Sequence, residues 1–381
     1  MIKLNKNQYY TRLNSVIGDG EIEEISNIEN FPVFIGSTTD DISEDISHNL
    51  TFDICKETGM IQLRDVVSPD IIYPKFHSEA IGKVWSEHHE SLSELILKYS
   101  DNKTILEIGG SDSRLASKSL DKNVNIKKWL IVDPNLKSVI NHDKLVYIED
   151  FFNDNIEEYF DMIVHSHTLE HMTDPKSFLQ SISKKIGNGN YHIFSVPNLF
   201  LYMKNKYSNV LNFEHTLFLT EDIIDYLLNM YDFEIEEKIY YSDHSIFYVT
   251  KKVENLDRME KINFYSDYKK MYKDLLDYYK DFVDEINNKI KDVNCDIYLF
   301  GGHIFSQYLI SLGLDTKNIV NIIDNSEIKD GQRLYGTNLT IKMPKNIDFK
   351  DNSIVILKAG QYQNEIKNQL FDINKKITFY E

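Results

Sequence analysis

The chain has 381 residues, 42% of them hydrophobic, and a formal net charge of −18 at pH 7. A chain of this length exceeds one ordinary domain and can bury more than one core. The negative charge is spread along the sequence, which argues against a nucleic-acid groove, because such a groove needs Lys and Arg on one face. The only cysteines, Cys55 and Cys295, lie far apart, so neither a disulfide framework nor a complete cysteine-based zinc site is available. No signal-like apolar core opens the sequence and no apolar run reaches membrane-spanning length, so we expect a soluble, cytoplasmic protein without membrane contact.

Short apolar segments separated by acidic loops make up residues 1–77 and predict a small β-rich N-terminal module. Residues 31–35 and 60–63 are the clearest of these segments. Residues 78–99 then show helical periodicity and lead into the first long apolar strand. This change of pattern places a predicted domain boundary between residues 77 and 78.

A glycine turn follows that first strand. Residues 104–108 form an apolar run that ends at Gly109 and Gly110, and a helix-compatible segment starts at Ser113. Glycines at the carboxyl end of a strand let the backbone turn tightly and approach a ligand closely, and the amides that open the next helix can face a polar group. Glu107 lies inside the apolar run, where a lone carboxylate is costly unless it has a partner, and a cationic ligand would supply one. An ordinary strand–turn–helix with a capped end is the alternative interpretation.

An acidic residue ends the next apolar run. Asp133 follows residues 129–132, and an acid at this place can bind both hydroxyls of a ribose. That geometry serves nicotinamide dinucleotides and S-adenosylmethionine alike. The dinucleotide fingerprint G-x-G-x-x-G is absent, because Ser111 and Ser113 stand where further glycines would be.

The order strand-Glu-x-Gly-Gly, then strand-Asp, resembles the class I S-adenosylmethionine-dependent methyltransferases. The resemblance implies that Glu107 meets the methionine amino group of S-adenosylmethionine and that Asp133 holds its ribose. It further implies that Gly109, Gly110 and Ser111 line the cofactor, with S-adenosylhomocysteine as the product.

Strands and helices alternate to about residue 252 and predict a doubly wound, Rossmann-like α/β domain over residues 78–252. The candidate strands span residues 104–108, 128–133, 144–149, 161–166, 191–196, 233–240 and 245–250. Only a short link around Asp243 separates the last two strands. This link suits an antiparallel hairpin at the sheet edge, which is also the usual ending of the methyltransferase fold.

Apolar residues at three- and four-residue steps over residues 255–293 predict one long helix, in a connecting segment assigned to residues 253–294. We expect this helix to pack along the domain boundary, with a dimer contact as the alternative, so the chain is predicted to be a monomer or a homodimer. A second α/β unit predicts a C-terminal Rossmann-like domain over residues 295–381. Its candidate elements are strands at 297–300, 319–324, 353–357 and 377–380, a turn at Gly301 and Gly302, and a helix at 303–312.

Asp150 and Phe151 follow the third strand of the central domain, where the methyltransferase fold flanks the adenine. There the carboxylate can accept from the exocyclic amine and the ring can stack on the base. A helix N-cap followed by a core phenylalanine is the alternative interpretation.

The fourth strand ends in a group of ionisable residues, namely His165, His167, Glu170 and His171. Doubly wound folds bind ligands at the carboxyl ends of parallel strands, and ionisable groups with perturbed pKa values cluster at sites. We expect His167 to contact the cofactor and His171 to lie beside the sulfonium, as the sequence Leu-Glu-His-Met does in methyltransferases. No second cluster of ligand spacing accompanies these residues, so we predict no metal here. Asn198, after the fifth strand, resembles the loop opposite the methyl group and is a predicted substrate contact.

Glu214 and His215 lie on a loop just before Thr220, which is placed to cap the next helix. A histidine titrates near neutral pH and can act as a general base, and an adjacent carboxylate can orient it or hold the substrate. We therefore predict His215 as the catalytic base with Glu214 beside it, and His171 as a donor that stabilises an enolate. A surface histidine near a helix cap is the alternative interpretation of His215.

Three regions resemble the three-domain sugar C-methyltransferases, which act on nucleotide-linked 4-keto sugars. Residues 55–88 are similar to their N-terminal module, and Glu214-His215 with residues 218–220 is similar to their catalytic loop. Residues 300–303, 323–331 and 336–337 are similar to their C-terminal domain, which faces the nucleotide sugar. The resemblance implies that the substrate is contacted by His77, Gly302, His303 and Lys329.

Two departures from that family shape the expectations. Those enzymes hold zinc with four cysteines, whereas Thr58 stands where the partner of Cys55 would be, so we predict a degenerate module that has lost its zinc. Their catalytic loop commonly reads Tyr-His-Glu-His, whereas Asn212 and Phe213 precede Glu214 here. The absent tyrosine would assist at the keto oxygen, so O-methylation of a sugar hydroxyl stays open beside C-methylation of a keto sugar.

The leading hypothesis is an S-adenosylmethionine-dependent methyltransferase that acts on a nucleotide-activated sugar in surface-glycan or deoxysugar biosynthesis. An NAD(P)-dependent oxidoreductase with two nucleotide folds is one alternative, and the absent glycine fingerprint and the histidine-rich fourth strand count against it. A non-catalytic nucleotide-sugar-binding protein with a degenerate methyltransferase domain is the other.

Overall fold

The structure is a computed structural model, and it describes residues 1–72, 83–137, 139–156 and 158–381. Internal contacts separate the chain into two units. Unit 1 comprises residues 1–78, 201–217 and 264–381, and unit 2 comprises residues 79–200 and 218–263. The N-terminal module and the C-terminal domain expected from the sequence thus share one unit. The loop that carries Glu214 and His215 belongs to that unit as well.

Unit 1 begins with strands in the first 72 residues. Their bounds are β1 Ile2–Lys3, β2 Tyr9–Thr11, β3 Ile22–Pro32, β4 Ser37–Thr38, β5 Ile46–Cys55, β6 Ile61–Leu63 and β7 Asp65–Val67, followed by the short helix α1 Pro69–Ile72. Strand β5 is the centre of a four-stranded sheet, since it pairs in parallel with β1 and antiparallel with β3 and β6. The fully buried rings of Phe31 and Phe52 anchor this sheet in the core of the unit.

Unit 2 contains a seven-stranded sheet in the order β10-β9-β8-β11-β12-β14-β13. Its strands are β8 Thr104–Ile108, β9 Lys128–Val132, β10 Leu145–Ile148, β11 Phe160–Ser166, β12 Ile186–Pro197, β13 Phe233–Tyr241 and β14 Ser245–Lys252. The helices in this part of the chain are α2 Lys83–Leu97, α3 Arg114–Lys122, α4 Pro175–Lys185, α5 Leu199–Lys204, whose residues fall on both sides of the division between the units, and α6 Glu221–Met230.

Strand directions confirm the predicted fold class. Strands β8 to β12 are all parallel, whereas β14 is antiparallel to both of its neighbours, β12 and β13. The predicted terminal hairpin therefore exists and lies at the sheet edge. Because β8, β9, β11 and β12 run in one direction, the residues that follow them gather along a single edge, which we call the carboxyl edge.

Buried apolar side chains hold α2 and α3 against one face of this sheet. Trp129 and Ile105 have no exposed surface and pack with Leu92 of α2 and Leu120 of α3. Burial of such side chains is the main favourable contribution to folding, at roughly 1.5–3 kcal/mol for each large one. The turn that joins β8 to α3 is thereby fixed between two packed elements.

The C-terminal part of unit 1 is a second parallel sheet. Its elements are α7 Tyr265–Ile290, β15 Ile297–Phe300, α8 Ile304–Ser311, β16 Ile319–Ile323, β17 Arg333–Leu334, β18 Ile341–Lys342, β19 Ile354–Ile356, α9 Gln363–Ile373 and β20 Thr378–Tyr380. Five of the strands form a parallel sheet in the order β18-β16-β15-β19-β20. The remaining strand, β17, pairs antiparallel with β4 near the start of the chain.

An ion pair accompanies the β4–β17 pairing within unit 1. The two guanidinium nitrogens of Arg333 each donate to one oxygen of the fully buried Asp45 carboxylate, both at 2.6 Å. The Tyr335 hydroxyl also accepts a hydrogen bond from the Ile46 amide at 2.5 Å. A bidentate arginine satisfies a buried carboxylate well, so this contact fixes residues nearly three hundred positions apart.

The long helix begins later than its sequence pattern indicates. The periodicity predicts a helix over residues 255–293, whereas α7 covers Tyr265–Ile290. Asn229 accounts for the difference within unit 2. Its side chain donates to the carbonyl of Asp257 at 2.8 Å and accepts from the amide of Met259 at 2.9 Å. These bonds hold the backbone before residue 264 in a non-helical path.

Among the residues that the structure describes, no helix is both long enough and apolar enough to cross a membrane.

Candidate active site

The glycine turn after β8 is built tightly around Glu107. Gly109 has a left-handed φ of 80°, which a side chain would strain, and an added Cβ there would lie 2.6 Å from Thr168 Oγ1. A Cβ on Gly110 would lie 2.6 Å from the carboxyl carbon of Glu107. Glycine is therefore required at residue 109 by the backbone conformation, and a side chain at residue 110 would displace the carboxyl group of Glu107.

Glu107 is a buried carboxyl group at the end of β8. Only 4% of the residue is exposed, and Trp129 Nε1 donates a hydrogen bond to its Oε2 at 2.8 Å. Burial raises the pKa of Glu107 to about 8, and the bond from Trp129 opposes this rise without cancelling it. The negative charges of Asp112 and Asp133 add to the increase. A cationic group bound here would restore the ionised carboxylate.

Asp133 lies at the carboxyl edge, just after β9, as its place in the sequence predicts. It is 7% exposed, and its Oδ1 accepts from the Asn135 amide at 2.6 Å. Burial raises the pKa of Asp133, while the amides of Asn135 and Ser111 act in the opposite direction. The amide of Ser111 thus faces this carboxylate, and its carbonyl accepts from Lys137 at 2.8 Å.

Asp112 was not singled out from the sequence. It raises the pKa of both Glu107 and Asp133 through its negative charge. It is held by Arg114, whose Nε lies 2.7 Å from its Oδ2. Three carboxyl groups, those of Glu107, Asp112 and Asp133, are therefore close enough at this turn to influence one another. The only sequence signal for Asp112 is its position directly after Gly-Gly-Ser.

Asp150 and Phe151 lie on the loop after β10. Asp150 is exposed, and its Oδ1 accepts from the Phe151 amide at 2.7 Å. The Phe151 ring is 58% exposed, so it is not a core residue. The described residues that follow form no helix before β11, so the N-cap interpretation does not apply to Asp150.

The histidines at the end of β11 divide into two environments. His165 is fully buried, and its Nε2 lies 3.0 Å from Nε2 of the equally buried His192 on β12. Burial lowers the pKa of both rings, so both are neutral core residues. His167 lies beyond the strand with a left-handed φ of 50°, and its amide donates to the Ser195 carbonyl at 3.0 Å.

Glu170 and His171 form one short 3-10 turn after β11. Glu170 is 1% exposed, and its Oε1 lies 3.1 Å from Nδ1 of His167. The amide of His171 donates to the Thr168 carbonyl at 3.1 Å. Asn198, half-buried at the end of β12, donates its amide to the His244 carbonyl at 3.1 Å. These predicted residues therefore all follow strand ends at the carboxyl edge of unit 2.

The structure also brings together three histidines that the sequence separates widely. His88 of α2, His167 after β11 and His244 before β14 form what we call the three-histidine cluster. One ring nitrogen of each lies within 4.8 Å of the other two. Trp85 adjoins all three, with ring centroids 5.4, 4.7 and 4.6 Å away. Burial lowers the pKa of His88 strongly and that of His244 to about 4, so both imidazoles are neutral.

The loop with Glu214 and His215 belongs to unit 1. The Asn212 side chain accepts from the amides of both residues, at 2.7 and 2.9 Å, and so fixes the loop. His215 Nδ1 lies 3.1 Å from the Asn209 carbonyl oxygen. A carbonyl can only accept, so Nδ1 carries the proton and Nε2 carries the lone pair. Burial raises the pKa of the adjacent Glu214 to about 8.

Two of the three predicted substrate residues of the C-terminal sheet, Gly302 and Lys329, meet at one carboxylate. Asp324, directly after β16, accepts from the Gly302 amide at 2.9 Å and from Lys329 Nζ at 3.0 Å, both at Oδ2. Lys329 is 8% exposed, whereas His303 is an exposed residue at the start of α8. Gly302 and Lys329 are thus brought together through Asp324, which the sequence analysis did not assign to the site.

His77, a further predicted substrate contact, lies outside the described residues. Cys55 and Thr58, on which the prediction of a degenerate zinc module rests, lie inside them. The Cys55 thiol is fully buried among hydroxyl groups, because Thr58 and Ser15 supply its side-chain hydrogen bonds. No second cysteine is described near it, since the other one is Cys295, which is partly exposed.

Residues 84–238 match a family model described as a methyltransferase domain. The match covers less than half of the chain and coincides with most of unit 2. Residues 84–238 therefore form a methyltransferase domain of the class I fold, and S-adenosylmethionine is its cofactor. No curated protein sequence matches the chain.

Several solved structures are similar to parts of this chain. A putative S-adenosylmethionine-dependent methyltransferase from Listeria monocytogenes is 14% identical with a TM-score of 0.35, and the match covers 43% of this chain and 99% of that one. The N-methyltransferase NodS from Bradyrhizobium japonicum WM9, in complex with S-adenosyl-L-homocysteine, is 14% identical with a TM-score of 0.34, covering 45% and 89%. A complex of the Haloferax volcanii Trm112 methyltransferase activator and a putative methyltransferase has 10% identity and a TM-score of 0.39, covering 46% and 94%.

Proposed function

We propose that the protein transfers the methyl group of S-adenosylmethionine to a nucleotide-activated sugar, with His215 as the general base. Glu107 carries the cofactor half of this proposal. Its buried carboxyl group has a raised pKa and lies against Gly110, where a ligand can come close. The α-amino group of S-adenosylmethionine is a cation of the size and charge that this site would favour.

The remaining proposed cofactor contacts come from residues along the carboxyl edge. Asp133 is held by backbone amides in a position to accept from the ribose hydroxyls. The exposed ring of Phe151 and the carboxylate of Asp150 are available to the adenine, for stacking and for its exocyclic amine. Cofactor contacts from Gly109, Ser111 and His167 belong to the same proposal.

The chemical step needs an aligned acceptor and one proton removed from it. The sulfonium supplies an activated methyl carbon, and the acceptor must attack in line with the leaving sulfur. The hydrogen bond from His215 Nδ1 to the Asn209 carbonyl leaves the lone pair on Nε2, which suits proton abstraction. For a keto sugar the proton comes from the carbon beside the ketone, and for a hydroxyl it comes from oxygen. His171 would donate to the developing oxyanion in the first case.

The sugar half of the proposal rests on the C-terminal sheet of unit 1 and on the sequence resemblance described above. A strand–Gly-Gly–helix turn there presents the Gly302 amide and the Lys329 ammonium, both held by Asp324. An ammonium and a helix-opening turn are groups that bind phosphate oxygens. Contacts of the diphosphate of a nucleotide sugar with Gly302, His303 and Lys329 therefore form part of the proposal, together with Asn198 and His77.

A reaction panel tests this function directly. Purified protein is incubated with S-adenosylmethionine and single nucleotide sugars, including keto and hydroxy forms, and the products are analysed by mass spectrometry. The proposal expects a gain of one methyl group on one class of nucleotide sugar and equal formation of S-adenosylhomocysteine. His215→Asn should still bind S-adenosylmethionine but should form methylated sugar far more slowly than the wild type. Methylation of only sugar-free acceptors would contradict the sugar assignment while leaving the methyltransferase assignment intact.

A further inference from the structure

We propose that the three-histidine cluster of unit 2 binds a divalent transition-metal ion, with zinc as the first candidate, through one ring nitrogen of each histidine. The sequence predicts no metal, because these three histidines are not at ligand spacing along the chain. The cluster joins His88, His167 and His244, which come from three distant segments and meet in space.

His88 supplies the strongest observation. It has no exposed surface, and among the residues that the structure describes neither of its ring nitrogens has a hydrogen-bond partner. Its neighbours include the rings of Trp85, Tyr241 and Phe247, at centroid distances of 5.4, 5.5 and 5.0 Å, and the two other histidines of the cluster. A buried polar group without a partner costs folding free energy, and a metal ion would provide the partner.

His167 is oriented as metal-binding histidines usually are. Its Nδ1 lies 3.1 Å from Oε1 of Glu170, a carboxyl group that is 1% exposed. A carboxylate on one ring nitrogen fixes the tautomer and increases the basicity of the other nitrogen, which then faces the metal. The second ring nitrogen, Nε2, lies 2.8 Å from the Ser245 hydroxyl.

The Ser245 hydroxyl also fixes the tautomer of His244, whose Nδ1 lies 2.5 Å from Oγ. One hydroxyl has a single proton. If it donates that proton to Nε2 of His167, it must accept from Nδ1–H of His244. The lone pair of His244 is then on Nε2. In this arrangement each of the two histidines has one unprotonated ring nitrogen. That of His167 accepts from the Ser245 hydroxyl, so metal binding requires this hydroxyl to turn away.

The distances allow coordination after a small movement. Zinc binds histidine nitrogens at roughly 2.0–2.1 Å in tetrahedral geometry, which puts two such nitrogens about 3.3 Å apart. One ring nitrogen of each histidine lies within 4.8 Å of one ring nitrogen of each of the other two, so each such pair needs to close by at most about 1.5 Å. The histidines lie on a helix, a loop after a strand and a hairpin turn, and modest changes of their side-chain torsions supply that movement.

Three imidazoles without a coordinated carboxylate suit a borderline ion. Zinc, cobalt, nickel and copper favour imidazole, whereas magnesium and calcium favour oxygen ligands. Three protein ligands also leave a fourth position for water or a substrate oxygen, as in catalytic rather than structural zinc sites. Because His167 and Asn198 both follow strand ends at the carboxyl edge, the ion would lie on the side of the sheet that carries the cofactor turn.

Elemental analysis of the untagged full chain is the first experiment. We expect about one zinc per wild-type chain after metal-free dialysis and addition of one equivalent of zinc. His88→Gln should lower the zinc affinity by more than 100-fold, and Glu170→Gln by about 10–100-fold, the usual effect of removing a carboxylate that orients a ligand. His142→Gln is the matched control, because this partly exposed histidine lies in the same unit outside the cluster. Cys55→Ser should also retain the zinc.

Cobalt substitution provides a measurement that does not depend on any variant. Cobalt added to the metal-free wild-type chain should give the intense visible absorption of tetrahedral nitrogen coordination, and zinc should abolish it. Zinc should also raise the melting temperature of the wild-type chain, because a ligand of the folded state stabilises that state. Any one of three results would overturn the proposal. They are less than one bound zinc per chain, a cobalt spectrum typical of six-coordinate surface sites, and equal zinc affinity in His88→Gln and the wild type.

Discussion

Trp129 on β9 donates its indole N–H to Oε2 of Glu107 on β8, at 2.8 Å. Both side chains are buried, so this bond is the means by which the sheet accommodates a carboxyl group in its interior. The bond offsets only part of the desolvation, and the pKa of Glu107 stays at about 8. A glutamate side chain that is protonated in the cofactor-free protein has consequences for stability and for binding.

The first prediction concerns the pH dependence of stability. Between the ordinary glutamate pKa of 4.5 and about 8, folded Glu107 keeps a proton that the unfolded chain releases. Its contribution is therefore complete below the lower value and is lost as the pH rises to the upper one. In the wild type the free energy of unfolding should fall as the pH rises through this window. Glu107→Gln should make that slope shallower by up to about 1.4 kcal/mol per pH unit, the value for one proton. Thermal or urea unfolding of the cofactor-free protein between pH 5 and pH 8 measures this.

Glu94→Gln is the control for that experiment, because Glu94 is exposed on α2 of the same unit. Glu214, with its pKa also raised to about 8, contributes in the same direction, so some slope should remain in Glu107→Gln. An unchanged slope in Glu107→Gln would mean that Glu107 is ionised in the folded protein.

The second prediction concerns the space at Gly110. A Cβ added there would lie 2.6 Å from both the carboxyl carbon and Oε1 of Glu107. Gly110→Ala should therefore displace Glu107 and weaken S-adenosylmethionine binding, by at least 10-fold in calorimetry. Gly187→Ala is the matched control, since its nearest atom is the Asn190 side-chain nitrogen at 3.4 Å. Equal affinities for the two variants would show that the turn does not touch the cofactor.

The third prediction concerns Asp133. Its carboxylate is positioned by the Asn135 amide and is the proposed acceptor for the ribose hydroxyls. Asp133→Ala should weaken S-adenosylmethionine binding by roughly 1–3 kcal/mol, the scale of hydrogen bonds to a charged group. Calorimetry measures the affinity, and circular dichroism verifies that the fold is kept. An unchanged affinity in a folded variant would remove Asp133 from the cofactor site.

The fourth prediction concerns the catalytic base. His215→Asn should keep S-adenosylmethionine binding, while turnover falls by roughly 10²–10⁴-fold, the usual contribution of general acid–base catalysis. The turnover of His171→Asn should fall less, because water can partly replace a donor that stabilises the oxyanion. The wild-type rate should decrease toward acid pH as the base becomes protonated, and His215→Asn should lose that limb of the profile. A variant with near wild-type turnover and the same acid limb would assign proton transfer to another group.

The fifth prediction separates the N-terminal module from any metal in the protein. Cys55 is buried among the hydroxyls of Thr58 and Ser15, which do not make a thiolate zinc site. Cys55→Ser should therefore leave the zinc content of the purified chain unchanged. A loss of zinc in this variant, measured by elemental analysis, would place the metal in the N-terminal module.

Local sequence pattern predicted most of the regular structure. β8 and β15 have the predicted bounds, 104–108 and 297–300, because a buried parallel strand is a continuous apolar run with a clear end. The strand β3 was not predicted as a whole. Its eleven residues, IEEISNIENFP, alternate too irregularly, and the register shifts twice along its pairing with β5.

The positions of candidate site residues were predictable where they depend on local sequence, as for Glu107, Gly110 and Asp133 at the ends of β8 and β9. It was not predictable where partners come from distant segments. Asp324 accepts hydrogen bonds from Gly302, which precedes it in the chain, and from Lys329, which follows it. An aspartate at the end of a predicted strand does not indicate these two partners. His88 looks like one polar residue of an amphipathic helix, and only the fold brings it to His167 and His244.

The pairing of Asp45 with Arg333 also bears on how the chain is made. Synthesis proceeds from the N-terminus, so the residues around Asp45 emerge long before Arg333 exists. Until then the Asp45 carboxylate lacks the guanidinium that satisfies it in the finished protein, and the strands of β4 and β17 cannot pair. Unit 2, by contrast, has all of its residues by position 263. On the ribosome the methyltransferase domain can therefore fold first, whereas the N-terminal segment can complete its contacts only after the C-terminal segment has been synthesised.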